Sequence, residues 1–316
     1  MDLRQLRALL GVADHGGFSA AADALHTVQS NVSAHLKRLE KELGATLVDR
    51  HTGQLTEEGT LVAARARRIE AELDALVADV AALRHEVIGT ARLGMISTTA
   101  RWLVPELLEL SQERHPRLRL ELVEGTSVSL ETPLGNGQID LLVGTPTSSG
   151  SDLEFRSLFE EDLVLVVPAG DPLDVTHPIT LAELATRPLL LPLPGTAFRT
   201  TIDSAAAAAG VHLSARAEVD GTRLIASLTF DGYGPSILPA TAVPNYLRDD
   251  WRLVAVDGLP RRTVGVFRRR RRATAAPSRA VVDLLVELTS DEAFLPAGLH
   301  PATGDRWVTP DPHSAR

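Results

Sequence analysis

Leu3, Leu6, Leu9, Leu10 and Ala13 recur at the spacing of one helical face, and Gly16-Gly17 breaks the run. Phe18 follows, placed to plug a core, and Ser19 is expected to cap a second helix with its hydroxyl. That helix carries Ala20, Ala21, Ala22, Ala24 and Leu25, small enough for another helix to approach closely. A third helix is predicted from about Val28 to Leu43, ended by Gly44. Val32, Leu36, Leu39 and Leu43 share its apolar side, and Gln29, Ser30, Ser33 and Lys37 share the other. Leu47, Val48 and Leu55 flank a turn at His51-Thr52-Gly53, which predicts a short hairpin, or wing. Three helices and a wing within roughly sixty residues lie near the lower size limit for independent folding.

Thr56 is expected to cap a longer helix, with Glu57 and Glu58 in the first turn, where the helix dipole favours negative charge. Val62, Ala66, Ile69, Leu73, Leu76, Val80, Leu83 and Val87 then alternate at spacings of four and three. This is a heptad seam about 40 Å long at 1.5 Å per residue. Arg65, Arg67, Arg68, Glu70, Glu72, Asp74 and Asp79 flank it and stay in water. Two readings follow: a helix packed on its own domain, or one that pairs with a second copy. A strict seam between two domains favours the second, and a pairing linker sets two N-terminal units at a fixed spacing.

Beyond residue 90 the pattern changes to short apolar runs. Ala91–Ile96, Arg119–Val123, Ile139–Gly144, Leu163–Pro168 and Leu189–Leu191 read as buried strands, with helices such as Trp102–Glu113 and Ala205–Ala209 between several of them. The alternation predicts parallel sheets covered by helices. About two hundred residues allow two α/β lobes. Pro168-Ala169-Gly170-Asp171-Pro172 offers a first crossing between lobes, and Thr263–Phe267, before a helix at Ser278–Leu288, a second. Thr180-Leu181-Ala182-Glu183 has the spacing of a capping box.

The chain has a formal net charge of −9, which argues against nonspecific nucleic-acid binding by the whole protein. Residues 1–68 depart from that average, with nine Lys or Arg against eight Asp or Glu. Such a unit holds phosphates only by gathering its cations on one face, as Lys37, Arg38, Lys41 and Arg50 would. Gln and Ser on the polar side of the third helix suit the floor of a DNA major groove, where Gln bonds a base edge in bidentate fashion. The bland alternative is a surface amphipathic helix with no ligand.

Cysteine is absent, which removes disulfide, thiolate-metal and thiol chemistry. No HExxH, P-loop, GxSxG or GxGxxG motif carries through, and the ten histidines are scattered. No metal, cofactor or catalytic residue is expected, and the enzyme reading lacks a nucleophile–base pair. No secretion signal or membrane-spanning run is visible, so a cytoplasmic location is expected.

The run Ala21-Ala22-Asp23-Ala24-Leu25 leading into Val28-Gln29-Ser30-Asn31-Val32-Ser33, then Leu39-Glu40-Lys41-Glu42-Leu43-Gly44 and Leu55-Thr56-Glu57-Glu58-Gly59, resembles the LysR-type transcriptional regulators. The resemblance implies an N-terminal all-α winged helix-turn-helix over 1–58, a linker and dimerisation helix over 59–88, and a C-terminal α/β two-lobed effector domain of periplasmic-binding-protein type over 89–290. Its first lobe would take 89–163 and 268–290 and its second 164–267. By composition, the tail after Ser290, with Pro296, Pro301, Pro310 and Pro312, has little to pack, so 291–316 is expected to be flexible. The resemblance also implies a sequence-specific transcription regulator that reads an interrupted palindrome in double-stranded DNA, as a homodimer and further as a dimer of dimers, under control of a small-molecule effector. The expected DNA-binding residues are Gln29, Ser30, Asn31, Ser33, Lys37, Arg38 and Arg50. Ala34 stands where many members carry Arg, and the wing Arg50-His51-Thr52-Gly53-Gln54 is shorter and less basic than usual. The other reading is an architectural DNA-binding protein whose C-terminal lobes only oligomerise.

Two-lobed sheet proteins bind small molecules at strand C-termini, where helix N-termini point inward. Ser97, Thr98 and Thr99 follow the first strand, and Gly125-Thr126-Ser127 the second. Pro194–Arg199, with Thr196 and Phe198, and Gly221-Thr222-Arg223 are the matching loops of the second lobe. By resemblance these positions line an effector site, suited to an organic anion; singly, each is better explained by helix capping, and it is four such loops converging on one cleft that favour the site. Arg199 and Arg223 are either counter-ions for that anion or exposed charges. Arg268–Arg272, five arginines in a row, is either a second nucleic-acid patch or a solvated turn.

Overall fold

A computed structural model describes residues 1–309 except 51, 147–151, 174–176, 244–249, 271–273, 293–294, 303 and 305. His51 of the wing, Arg271 and Arg272 of the arginine run, and Pro310 and Pro312 lie outside the described residues. The chain divides into two compact units, one over Met1–His85 and the other taking most of the rest.

In the first unit, α1 (Leu3–His15) opens with a capping box between Asp2 and Gln5 and ends at Gly16 in the left-handed region. The second helix, α2 (Phe18–Ala24), starts two residues earlier than expected: Gly17 holds the cap position, no side chain caps it, and Ser19 is already helical. Then come α3 (Gln29–Leu43), closed by left-handed Gly44, and α4 (Glu57–Ala82), capped by the Thr56 hydroxyl accepting from Gly59 N at 2.9 Å. Leu9, Leu36, Leu39 and Leu47 are fully buried among the helices, with Phe18 packed against them. Leu43, the last residue of α3, does not share that burial and is exposed. The wing shrinks to a single antiparallel bridge between Val48 and Leu55. It lies so close to α4 that a Cβ on Gly59 would stand 1.9 Å from the Leu47 carbonyl oxygen, so only glycine fits there.

The seam on α4 splits in two. Val62 and Ala66 pack into the core of the first unit, while Ile69, Leu73, Leu76 and Val80 stay 40%, 38%, 62% and 53% exposed. The helix stops at Ala82, and His85 takes a left-handed conformation, so Val87 falls outside the seam predicted for it.

The second unit holds two six-stranded sheets. The first is built from β1 (Gly89–Ile96), β2 (Leu118–Gly125), β3 (Leu141–Gly144), β4 (Leu153–Glu161), β11 (Arg262–Arg269) and β12 (Leu299–Pro301), in the order β12-β4-β11-β3-β1-β2. The second has β5 (Leu163–Pro168), β6 (Ile179–Thr180), β7 (Leu189–Pro192), β8 (Ala215–Val219), β9 (Ser236–Pro239) and β10 (Trp251–Asp257), in the order β6-β10-β5-β9-β7-β8. Helices α5 (Ser97–Arg114), α6 (Ser127–Asn136) and α10 (Ala276–Ser290) belong to the first lobe. The second lobe has α7 (Leu181–Leu184), α8 (Ala197–Ala208), α9 (Thr222–Phe230) and the short 3-10 turn Ala240–Ala242. Thr180 and Glu183 form the expected capping box.

Three expectations need correction. The sheets are mixed: β1 runs parallel to β2 and β3, but β11 runs antiparallel to β3 and β4, and β5 to β9 and β10. The reason is topological, since β4 leaves the first lobe, β11 re-enters it beside β4, and neighbours running out and back must oppose each other. Accordingly the chain crosses at Asp162 and again between Asp257 and Arg262, so Thr263–Phe267 lies within a first-lobe strand and Pro168–Pro172 within the second lobe. Nor are the described residues after Ser290 without packing partners. Leu299–Pro301 forms β12 on the edge of β4, Val308 bridges Phe155, and Trp307 stacks on the Arg268 guanidinium at 3.9 Å.

Candidate functional site

The N-terminus of α3 projects Gln29, Ser30 and Asn31 into solvent, while Val32, Leu36 and Leu39 anchor the opposite face. Asn31 donates to the Thr27 hydroxyl at 3.0 Å, which tightens the turn into the helix. Lys37 and Arg38 lie exposed further along. Ser33 is half-buried and accepts from Arg50 at 3.3 Å. Arg50 is not a free wing cation: it pairs with Glu40 at 3.1 Å and lies over the Phe18 ring at 5.4 Å. Its guanidinium therefore ties the wing to α3 and fixes Ser33, while half its side chain remains in solvent.

In the effector domain, Ser97, Thr98 and Thr99 form the first turn of α5 itself, which starts five residues before Trp102. Thr99 is fully buried, and the Thr98 hydroxyl accepts from Arg262 at 2.7 Å. Thr126 is exposed and accepts from Ser129 N at 3.1 Å in the first turn of α6, and Thr196 caps α8 by accepting from Arg199 N at 3.3 Å. Phe198 packs on the second-lobe core, and Thr222 opens α9. Arg199 is buried and pinned by Asp203 at 2.8 Å, Glu218 at 2.9 Å and the Pro192 carbonyl at 2.8 Å. Burial opposes its charge, but the bonds from Asp203 and Glu218 outweigh that and raise its pKa. Its Nε and Nη1 thus serve the lobe's structure.

Arg223 behaves differently. From α9 it reaches across to Glu124 at the end of β2, 2.6 Å away. Hydrogen bonds from Ser97 and then Arg223 hold the Glu124 carboxyl below its ordinary range. Beside this pair lies a pocket of about 410 Å³, with Met95, Val104 and Leu122 as apolar wall and Ser97, Arg101, Glu124 and Arg223 as polar rim. Arg101 meanwhile donates to the Ala242 carbonyl at 3.2 Å. Of the expected effector residues Ser97 lines this pocket, as does Arg223, the possible counter-ion, whereas Arg101 and Glu124 carried no sequence signal beyond lying near strand ends. Also unforeseen is Glu161, with no exposed surface, which accepts from Thr241 N at 2.7 Å and Arg262 Nε at 2.6 Å.

Of the arginine run, Arg268 pairs with Glu154 at 2.9 Å, and Arg269 donates to the Ile139 carbonyl at 3.0 Å. Both belong to first-lobe packing.

A family model described as bacterial regulatory helix-turn-helix protein, lysR family, matches residues 3–60, and one described as LysR substrate binding domain matches residues 84–290. The chain belongs to the LysR family. It is a DNA-binding transcription regulator with an effector-binding domain. A probable hydrogen peroxide-inducible genes activator of Streptomyces viridosporus is 34% identical over 296 residues, 92% of this chain and 95% of that one. Among solved structures, a full-length OxyR from Pseudomonas aeruginosa with a substituted cysteine shares the fold at a TM-score of 0.73, with 24% identity over 91% of this chain and 94% of that one. Full-length CbnR, solved with its target DNA, gives a TM-score of 0.66 with 23% identity, covering 91% of this chain and 98% of the other. LysR-family regulators bind DNA and small-molecule effectors and oligomerise. No helix among the described residues is long and apolar enough to cross a membrane.

Proposed function

We propose that this regulator acts in the cytoplasm, without catalysis of its own, on an interrupted palindrome read by paired α3 helices, and that two dimers join on the operator. The observation that carries this reading is the row Ile69, Leu73, Leu76 and Val80, four large apolar side chains exposed along one helix whose heptad spacing fits a second copy. Gln29, Ser30 and Asn31 read bases, Ser33 is held for that task by Arg50, and Lys37, Arg38 and Arg50 meet phosphates. Gln29→Ala is expected to weaken operator binding by about 1–3 kcal/mol and leave binding to unrelated DNA nearly unchanged. Equal losses on both DNAs in a titration at fixed salt would contradict base reading.

The signal, in this proposal, is a bound organic anion with an apolar body. Arg101 and Arg223 offer it donors and Met95, Val104 and Leu122 a wall; Thr98, Thr99, Thr126, Thr196, Phe198 and Thr222 shape the surrounding helix starts. A relative is a probable peroxide-inducible activator, yet this chain has no cysteine, and of its two methionines Met95 is buried. Sulfur oxidation therefore lacks a thiol to act on. Thermal-shift measurements on a panel of aromatic and aliphatic carboxylates, with hydrogen peroxide as a further arm, test this. At least one carboxylate should raise the melting temperature of the intact chain and lose that effect in Arg223→Ala. Peroxide should leave melting and operator affinity alone, and a peroxide response would sink the proposal.

A further inference from the structure

The described tail residues after Leu295 lie beyond the matched effector-domain model, which ends at residue 290. They run across the place where the chain passes between lobes. Asp162 is the sole residue between β4 of the first lobe and β5 of the second, and all its polar groups are engaged. Its N–H donates to the Gly298 carbonyl at 2.8 Å, and its carbonyl accepts from Ala240 N at 3.0 Å. One carboxylate oxygen accepts from Arg261 Nε at 2.8 Å, in the second crossing, and the other lies 3.0 Å from His300 Nε2. Gly298 takes φ +87, and a Cβ there would stand 2.6 Å from that of Ala240 in the second lobe's 3-10 turn. Leu299 meanwhile sits in the first-lobe core beside Ala240, and His300 lies opposite Glu160 on β12. The tail thus touches the first crossing at Asp162 and the second lobe's 3-10 turn at Ala240, and it meets the second crossing through Asp162, which Arg261 also bonds.

We infer that residues 295–301 form a strap that fixes the angle between the two lobes. Two crossing strands alone leave a hinge free to bend, because a few residues absorb the rotation. Bonding Asp162, which also holds Arg261, to a third strand that is itself seated in the first lobe removes that freedom. Trp307 on Arg268 and Val308 on Phe155 anchor the strap's far end to the first lobe. Any lobe closure then has to occur against, or with release of, this segment.

The absence of native cysteine makes the test direct. Asp283→Cys on α10 and Ser204→Cys on α8, both exposed, provide one spin-label site on each lobe of the full chain. Pulsed electron-paramagnetic distance measurements, on labelled chain diluted with unlabelled chain, report the interlobe separation. One narrow distance population is expected for the intact chain. Truncation after Ser290 should broaden and displace it, and His300→Leu and Gly298→Ala should broaden it in the same direction. A truncated, folded chain with the intact distribution would overturn the strap. Should truncation prevent folding, unaltered distributions in both point variants would overturn it equally.

Discussion

Leu76→Asp on α4 is expected to leave the regulator monomeric at concentrations where the parent chain is dimeric, and to weaken operator binding by about 10²–10⁴-fold. Leu76 is the most exposed member of the row Ile69, Leu73, Leu76 and Val80. In a paired helix that position is a knob in a hole, and a carboxylate there is buried without a partner, which costs several kcal/mol. Its loss reaches DNA because each half-site alone is read by few contacts. A near-neutral N-terminal unit gains little from phosphate charge, so its grip depends on two units binding as one. Asp74→Ala, exposed but off the row, should change neither property. Sedimentation equilibrium and gel mobility shift read the two effects together. An intact dimer in the Leu76 variant means that another surface joins the chains.

Glu161→Ala should lower the melting temperature of the effector domain by on the order of 10 °C, from a loss of about 3–5 kcal/mol. Glu161 has no exposed surface and accepts from the Thr241 N–H and hydroxyl and from Arg262. Truncation to Ala leaves the Arg262 guanidinium, only 16% exposed, without its carboxylate, and strips the Thr241 N–H of its acceptor. Arg262 also donates to Thr98, so the first turn of α5 loses its fixed neighbour as well. Calorimetry on the full chain should show the effector-domain transition moved and that of the N-terminal unit in place, since the two are separate compact units. An unmoved transition would show that the pair contributes nothing net to stability. Glu161→Gln, which keeps an acceptor, should fall between the two.

Much of the site-bearing framework was legible in the sequence because it is local. Val32, Leu36 and Leu39 mark one side of α3 by spacing alone, which puts Gln29, Ser30 and Asn31 outward. Thr56 and Thr180 announce helix starts through side chains that reach backbone groups three residues on. Leu163–Pro168 is an unbroken apolar run with no other use than a buried strand. Less legible was Ser97-Thr98-Thr99, where helix start and loop have the same composition, and the helix begins at once. Effector residues were harder still. Threonine at a helix start caps the helix whether or not a ligand arrives, and Thr126 and Thr196 do so.

By itself, then, the sequence determined the elements of the N-terminal unit, the exposed apolar row on the linker helix and the alternation that makes two α/β lobes. Only the tertiary structure decided where the chain crosses between lobes, that the return strand belongs to the first lobe, that Arg199 is held within its lobe while Arg223 reaches across, and that Leu299–Pro301 of the tail pair as a strand. Periodicity reports neighbours three or four residues apart, whereas Glu161 meets Arg262 and Asp162 meets His300 across stretches of 101 and 138 residues. Partners that distant are chosen by strand order and sheet edge, which no local pattern along the chain encodes.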